Sequence, residues 1–188
     1  MHKLVGALLL VSLIMACSTS TEFGSQFGDT EKLQAAEALI DAFYSFDAKE
    51  LESKLATASS SISSLVYYQG WAEGGNYKIV ERKPCQFSES NVVRCPITVE
   101  DDPMLALGID FNVTDTFEIS FRDDKIASVK TSSNDMQIYY DARDWVMKEM
   151  PDLIAQPCQG FFDGGPTPGA CAKAMAEGYA RFSAAVNK

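Results

Sequence analysis

Cys85 and Cys95 lie at equal distances from residue 90, each inside a stretch that alternates apolar and polar residues. Residues 77–87 (YKIVERKPCQF) and 92–99 (VVRCPITV) read as two strands around a turn from Ser88 to Asn91. In a hairpin centred on residue 90 the two cysteines fall opposite each other. Opposite Cα atoms about 4.5–5.5 Å apart lie within disulfide reach. One spacing therefore predicts both a register and a bond. Pro84 and Pro96 each remove a ladder donor, which predicts edge positions or bulges there.

The chain has five cysteines, at 17, 85, 95, 158 and 171, and the odd one calls for an explanation. Met-His-Lys gives a positive start, and residues 4–16 (LVGALLLVSLIMA) are almost wholly apolar. About 13 residues suits the core of a signal peptide and falls short of the roughly 20 needed to cross a bilayer. Ile14-Met15-Ala16-Cys17 then resembles a lipobox, which predicts cleavage before Cys17 and its acylation by lipid such as palmitate. An ordinary secretory signal cleaved after Ala16 is the alternative. With Cys17 lipidated, four cysteines remain. They allow three pairings, of which the spacing favours 85–95 and 158–171. Ser18, where Asp would resemble an inner-membrane retention signal, points to the outer membrane facing the periplasm. Residues 17–29 read as a flexible tether.

Cleavage leaves 172 of the 188 residues, enough for one domain with a sizeable core. It also removes Lys3, so 15 basic residues stand against 26 acidic ones and the net charge goes from −10 to −11. Such a surface repels phosphate backbones, which excludes nucleic acid as an expected partner. The single histidine is His2, and it leaves with the signal. Ser-His-Asp and Cys-His catalysis and His-ligated metals are thereby excluded. Chemistry on Asp, Glu, Tyr or Lys stays open, and no cofactor or metal is expected.

Asp29, Thr30 and Glu31 open a helix in which Leu33, Ala36, Ile40, Phe43 and Tyr44 form one apolar face, running to about residue 46. Asp47-Ala48-Lys49-Glu50 is a capping-box pattern for a short second helix. Residues 57–72 keep a rough helical period through Ile62, Leu65, Val66 and Trp71, weakened by serines, and Gly74-Gly75-Asn76 ends them. Residues 101–108 form a connector. Residues 111–122 and 126–133 form a second hairpin, in which Phe117, Ile119 and Phe121 face Ala127, Val129 and Thr131 if it centres on residue 124. Residues 136–149 return to helix, 157–170 make a Gly/Pro loop flanked by Cys158 and Cys171, and 171–187 make a last, Ala-rich helix. The expected organisation is a signal over 1–16, a tether over 17–29, an α+β domain over 30–134 and a helical extension over 135–188.

Residues 36–46 (AEALIDAFYSF), the strand start at 77–80 and residues 117–126 (FEISFRDDKI) together resemble the nuclear transport factor 2-like, or SnoaL-like, superfamily. The resemblance covers about residues 30–133. It implies an α+β fold with N-terminal helices packed on a curved, cone-like antiparallel sheet and an apolar pocket at the open end. Residues 135–188 depart from the family's pattern. The family includes isomerases and dehydratases as well as non-catalytic domains. No set of residues here matches a family catalytic motif, so no catalytic residue is carried over.

Phe43, Tyr67, Tyr68, Trp71, Asp110 and Phe111 are the candidate ligand-pocket residues. The aromatics could wall an apolar ligand or simply fill the core. Asp110 could be a pocket acid or a solvated loop carboxylate. Glu100-Asp101-Asp102 could take a hard cation, although a solvated acidic turn is the plainer reading. Asp141, Arg143 and Asp144 read as surface ion pairs. Asn112-Val113-Thr114 fits a glycosylation sequon by coincidence. The expected function is a lipid-anchored, non-catalytic envelope domain binding a small apolar ligand or a partner protein. The alternative is a His-free isomerase or dehydratase using a pocket Asp or Tyr.

Overall fold

A computed structural model describes residues 22–160 and 168–187, with side chains from residue 28 onward. The lipobox and Cys17 lie outside the described residues. The fold is α+β: three helices, α1 (Glu22–Tyr44), α2 (Ala48–Lys54) and α3 (Ser59–Gly74), precede the strands β1 (Lys78–Arg82), β2 (Gln86–Glu89) and β3 (Val92–Glu100). A short helix α4 (Asp102–Ala106) leads to β4 (Val113–Arg122) and β5 (Lys125–Ser133), and α5 (Gln137–Glu149), α6 (Pro151–Ile154) and α7 (Pro168–Val186) close the chain. The five strands form one open antiparallel sheet in the order β1–β3–β4–β5, with β2 also paired to β3.

The apolar stripe of α1 is buried as its period requires: Ala36, Leu39, Ile40 and Phe43 have no exposed surface. The helix begins at Glu22, seven residues before the expected start at Asp29; no proline interrupts residues 22–28. It stops where Phe46 takes a positive φ of 57°. Asp47 then caps α2, its Oδ1 accepting the Lys49 and Glu50 N–H groups at 2.9 and 3.2 Å, as the capping pattern predicts. Arg82 ties β1 to α1 through Glu37 (2.6 Å) and Asp41 (2.5 Å). Glu37 also accepts the Cys85 N–H at 2.7 Å.

Cys85 and Cys95 are bonded, with Cα atoms 4.3 Å apart, and Gln86 pairs with Arg94 and Phe87 with Val93, the register expected of a hairpin about residue 90. The first strand is not continuous. It breaks after Arg82 and resumes at Gln86, with Pro84 inside the break and Pro96 on β3 opposite it. In the second hairpin, Phe117 faces Thr131 and Ile119 faces Val129, but Phe121 faces Ile126 rather than Ala127 because the register shifts after Ser120. That shift buries Ile126 in place of the smaller Ala127.

Polar residues in and just before α3 make specific bonds to other elements. Ser61 is hydrogen-bonded to both backbone polar groups of Val129, and Thr57 donates to the Ile126 carbonyl at 2.7 Å. Gln69 is buried and donates to the last carbonyls of α1, Ala42 and Phe43, both at 3.0 Å.

The C-terminal helices pack on this body. Cys158 and Cys171 are bonded, with Cα atoms 4.6 Å apart, so both favoured disulfides form. Helix α7 starts at Pro168 rather than residue 171, consistent with proline's preference for a first helical turn. It packs against α3, α4 and α5 and buries Tyr179, Met175 and Phe182. Its start meets α3 so closely that a Cβ on Gly74 would sit 2.2 Å from the Gly169 carbonyl oxygen. None of the described helices is long and apolar enough to cross a membrane.

Candidate functional site

The inner face of β4 reads Val113, Asp115, Phe117, Ile119, Phe121, all buried. One of these five is a carboxylic acid. Asp115 is 1% exposed, and its Oδ2 has no hydrogen-bond partner. It lies at the wall of a cavity of about 260 Å³. Helix α3 contributes Tyr67, Tyr68 and Trp71 to the same cavity, and Tyr77 comes from the residue just before β1. The end of β5 adds Thr131, Ser132 and Ser133, and Asp135 and Tyr139 complete it from the start of the C-terminal extension. Residues from both the α+β body and the extension therefore build one site.

Tyr68 is fixed by rings on three sides. Its ring centroid lies 5.1 Å from Phe43, 6.3 Å from Phe117 and 6.4 Å from Tyr77, separations typical of favourable aromatic pairs. Tyr139 is held edge-to-face at 5.2 Å by the buried Tyr179 of α7. Asp135 accepts hydrogen bonds from Ser133 at 2.5 Å and from Tyr140 at 3.1 Å.

Burial dominates the electrostatics. It pushes the Asp115 carboxyl up to about 7; the Tyr68 hydroxyl opposes the rise, and the negative charges of Asp135 and Asp101 add to it. Asp101 is pushed up to about 6, first by burial, against the Met104 N–H that it accepts and with Asp135, Asp102 and Glu100 adding. Burial likewise raises the Tyr68, Tyr77 and Tyr139 phenols far above their ordinary range, so they remain neutral donors at physiological pH. None of the described residues lining the cavity is Lys or Arg. The site is a small aromatic chamber with an acidic floor, and it can offer a hydrogen-bond acceptor, a negative charge or, when protonated, a donor.

Of the expected pocket residues, Tyr67, Tyr68 and Trp71 line this cavity, while Phe43 sits behind Tyr68 in the core. Asp110 and Phe111 do not reach it. β4 begins at Val113 rather than residue 111, which leaves Asp110 exposed in the connector and Phe111 half-buried against the main core. The pocket acid is Asp115. The signal for it was present, because Asp115 shares parity with Phe117, Ile119 and Phe121. Tyr77, Asp135 and Tyr139 lie at element boundaries, where periodicity gives no such signal.

Asp101 is a buried helix cap rather than a solvated turn residue. It is 3% exposed and caps α4, accepting the Met104 N–H at 2.7 Å. No group of three or more metal-ligating side chains occurs among the described residues. Arg143 pairs with Asp144 at 2.9 Å at the surface, and Asp141 accepts from Gln137. A second depression, of about 390 Å³, is bounded by Lys83, Pro84, Phe87 and Arg94 and contains no buried titratable group. In comparisons with known proteins, no family model, curated protein or solved structure matches the chain.

Proposed function

We propose that this protein is a lipid-anchored domain of the bacterial envelope that captures a small ligand in the Asp115 cavity and performs no chemistry on it. The observation that carries the reading is Asp115 itself. A buried carboxyl with an unpartnered oxygen is costly, and it faces a chamber walled by aromatic rings. A ligand donating to that oxygen would offset the cost. The chamber suits a compact, largely apolar molecule carrying one polar group. The arrangement of α1 and the sheet supports a cone of the SnoaL-like type, with α5 and α7 as an added wall. The two disulfides support an extracytoplasmic setting, and the lipobox pattern supports acylation of Cys17.

Native mass spectrometry of the protein purified from its own host tests the capture. The expected spectrum contains a bound small molecule that Asp115→Asn loses. A spectrum of bare protein from both forms would overturn the reading. The mass of the N-terminal peptide tests the anchor, with a diacylglyceryl addition on Cys17 expected.

A second reading, a His-free isomerase or dehydratase, is favoured by one observation: the Asp115 carboxyl, at about 7, meets the Tyr68 phenol in one cleft. Its phenols are already engaged, however, Tyr68 with Asp115 and Tyr77 with Trp71. Incubating the captured molecule with the protein in D₂O separates the two readings. Exchange of a carbon-bound proton, absent with Asp115→Asn, would establish catalysis.

A further inference from the structure

We infer that the ligand of the Asp115 cavity is a small organic cation, an aromatic or alkyl ammonium whose charged head sits between Asp115 and Asp135. The inference rests on the capture reading above and adds the ligand's chemical class.

Three independent features converge on it. First, the charge in the chamber is unbalanced. Asp115 and Asp135 both line it and, among the described residues, no Lys or Arg does. Arg82 and Arg143, whose charges reach Tyr44 and Tyr179, are committed elsewhere: Arg143 stacks on Tyr140 and pairs with Asp144, and Arg82 is held by Glu37 and Asp41. Second, the Asp115 Oδ2 is buried and unpartnered, which is an acceptor waiting for an N–H donor or a positive charge. Third, the remaining lining is five aromatic side chains, Tyr67, Tyr68, Trp71, Tyr77 and Tyr139, together with the hydroxyl-bearing end of β5 from Thr131 to Ser133. Aromatic walls around a carboxylate are the arrangement that recognises ammonium groups, through attraction of the cation to the ring face. An anion would meet two carboxylates. A hard metal ion would want several oxygen ligands, and no set of three or more metal-ligating side chains occurs among the described residues.

The charged and titratable groups facing Asp115 are Tyr44 from α1, Tyr68 from α3, Tyr77 ahead of β1, Asp101 ahead of α4 and Asp135 ahead of α5. All are acids. A bound cation would be the one positive charge among them, and it would hold Asp115 ionised. Capture should therefore strengthen as pH rises through the Asp115 titration.

The test is calorimetric titration of the full-length protein in detergent micelles at pH 8 with three near-isosteric probes: phenethylammonium, 2-phenylethanol and phenylacetate. Phenethylammonium should bind at least tenfold more tightly than 2-phenylethanol, and phenylacetate should not bind. Asp115→Asn should erase the preference for the cation, and Asp135→Asn should reduce it. In the unsubstituted protein the cation's affinity should fall at least fivefold between pH 8 and pH 5.5, a readout that needs no variant to fold. If 2-phenylethanol binds as tightly as phenethylammonium, or if Asp115→Asn leaves the preference intact, the cation inference fails while the capture reading stands. If none of the three probes binds, the cation inference fails, and a spectrum of bare protein in the native mass spectrometry above is what overturns the capture reading.

Discussion

Ser61 on α3 is bonded to both backbone polar groups of Val129 on the edge strand β5, accepting its N–H at 3.0 Å and donating to its carbonyl at 3.4 Å. One hydroxyl thus does for β5 at this residue what a further strand would do, and it blunts an exposed edge. Ser61→Ala should cost about 1–3 kcal/mol, because it leaves buried backbone groups unsatisfied. Denaturant unfolding measures the loss. Amide exchange should quicken at Val129 more than at Ile119 across the β4–β5 ladder. Uniform acceleration along β5 would show that the serine adds no local protection.

The raised carboxyls set a pH dependence with a definite sign. Asp115 at about 7 and Asp101 at about 6 each start from an ordinary value of 3.8. The folded protein therefore holds protons that the unfolded chain releases, and folding stability falls as pH rises from about 4 to about 7. Asp115→Asn should raise stability at pH 8 by a few kcal/mol and change it little at pH 4. Paired denaturant titrations at the two pH values check this. An effect of equal size at both would mean that ionisation of Asp115 is not what burial penalises.

Much of this architecture is legible in the residues, and the misses have physical causes. The Cys85–Cys95 spacing specifies a register because hairpin partners sum to a constant. Asp47 specifies a cap because its side chain can reach the N–H groups two and three residues on. The break at Pro84 is foreshadowed by proline's missing donor. Asp115 lies inside the strand read over residues 111–122, but its parity with Phe117, Ile119 and Phe121 does not by itself say that a carboxyl is buried there; only packing does. Asp101 escaped because a buried cap and a solvated turn share one residue pattern, and only packing tells them apart. Ser61 weakens α3 as a helical pattern yet satisfies backbone groups of Val129 on β5, and nothing in that pattern marks Gln69 as the residue that satisfies the last carbonyls of α1.

The Cys158–Cys171 bond closes a short loop, its ends 13 positions apart in the sequence. A loop of that length implies about 3 kcal/mol, acting chiefly on the unfolded chain. Replacing both cysteines by serine should lower global stability by roughly that amount, yet α7 should keep its native exchange protection. The helix is held by Tyr179, Met175 and Phe182, all buried, and by close contact with α3 and α5. Early loss of protection in α7 alone, while the sheet stays protected, would assign its attachment to the disulfide.

Two of the close helix contacts of α7 differ in what they can tolerate, and the difference bears on the site. A Cβ on Gly178 would meet the Val146 methyl carbons at 2.5 and 2.8 Å, whereas one on Gly74 would meet Gly169 backbone at 2.2 and 2.3 Å. Side chains can be trimmed and backbone cannot. Gly178→Ala should destabilise by about 1–3 kcal/mol through overpacking, beyond the small gain in helix propensity, and Val146→Ala in the same chain should restore most of the loss. Gly74→Ala should find no such rescue, because only separation of α3 from α7 relieves it. Since α3 carries Tyr67, Tyr68 and Trp71 while α7 backs Tyr139 through Tyr179, that separation should open the cavity. Ligand affinity should then fall at least tenfold in Gly74→Ala, yet stay within about twofold in the Gly178→Ala, Val146→Ala pair. Calorimetry on both variants, each shown folded by circular dichroism, decides whether the extension is a working wall of the pocket or only a structural addition behind it.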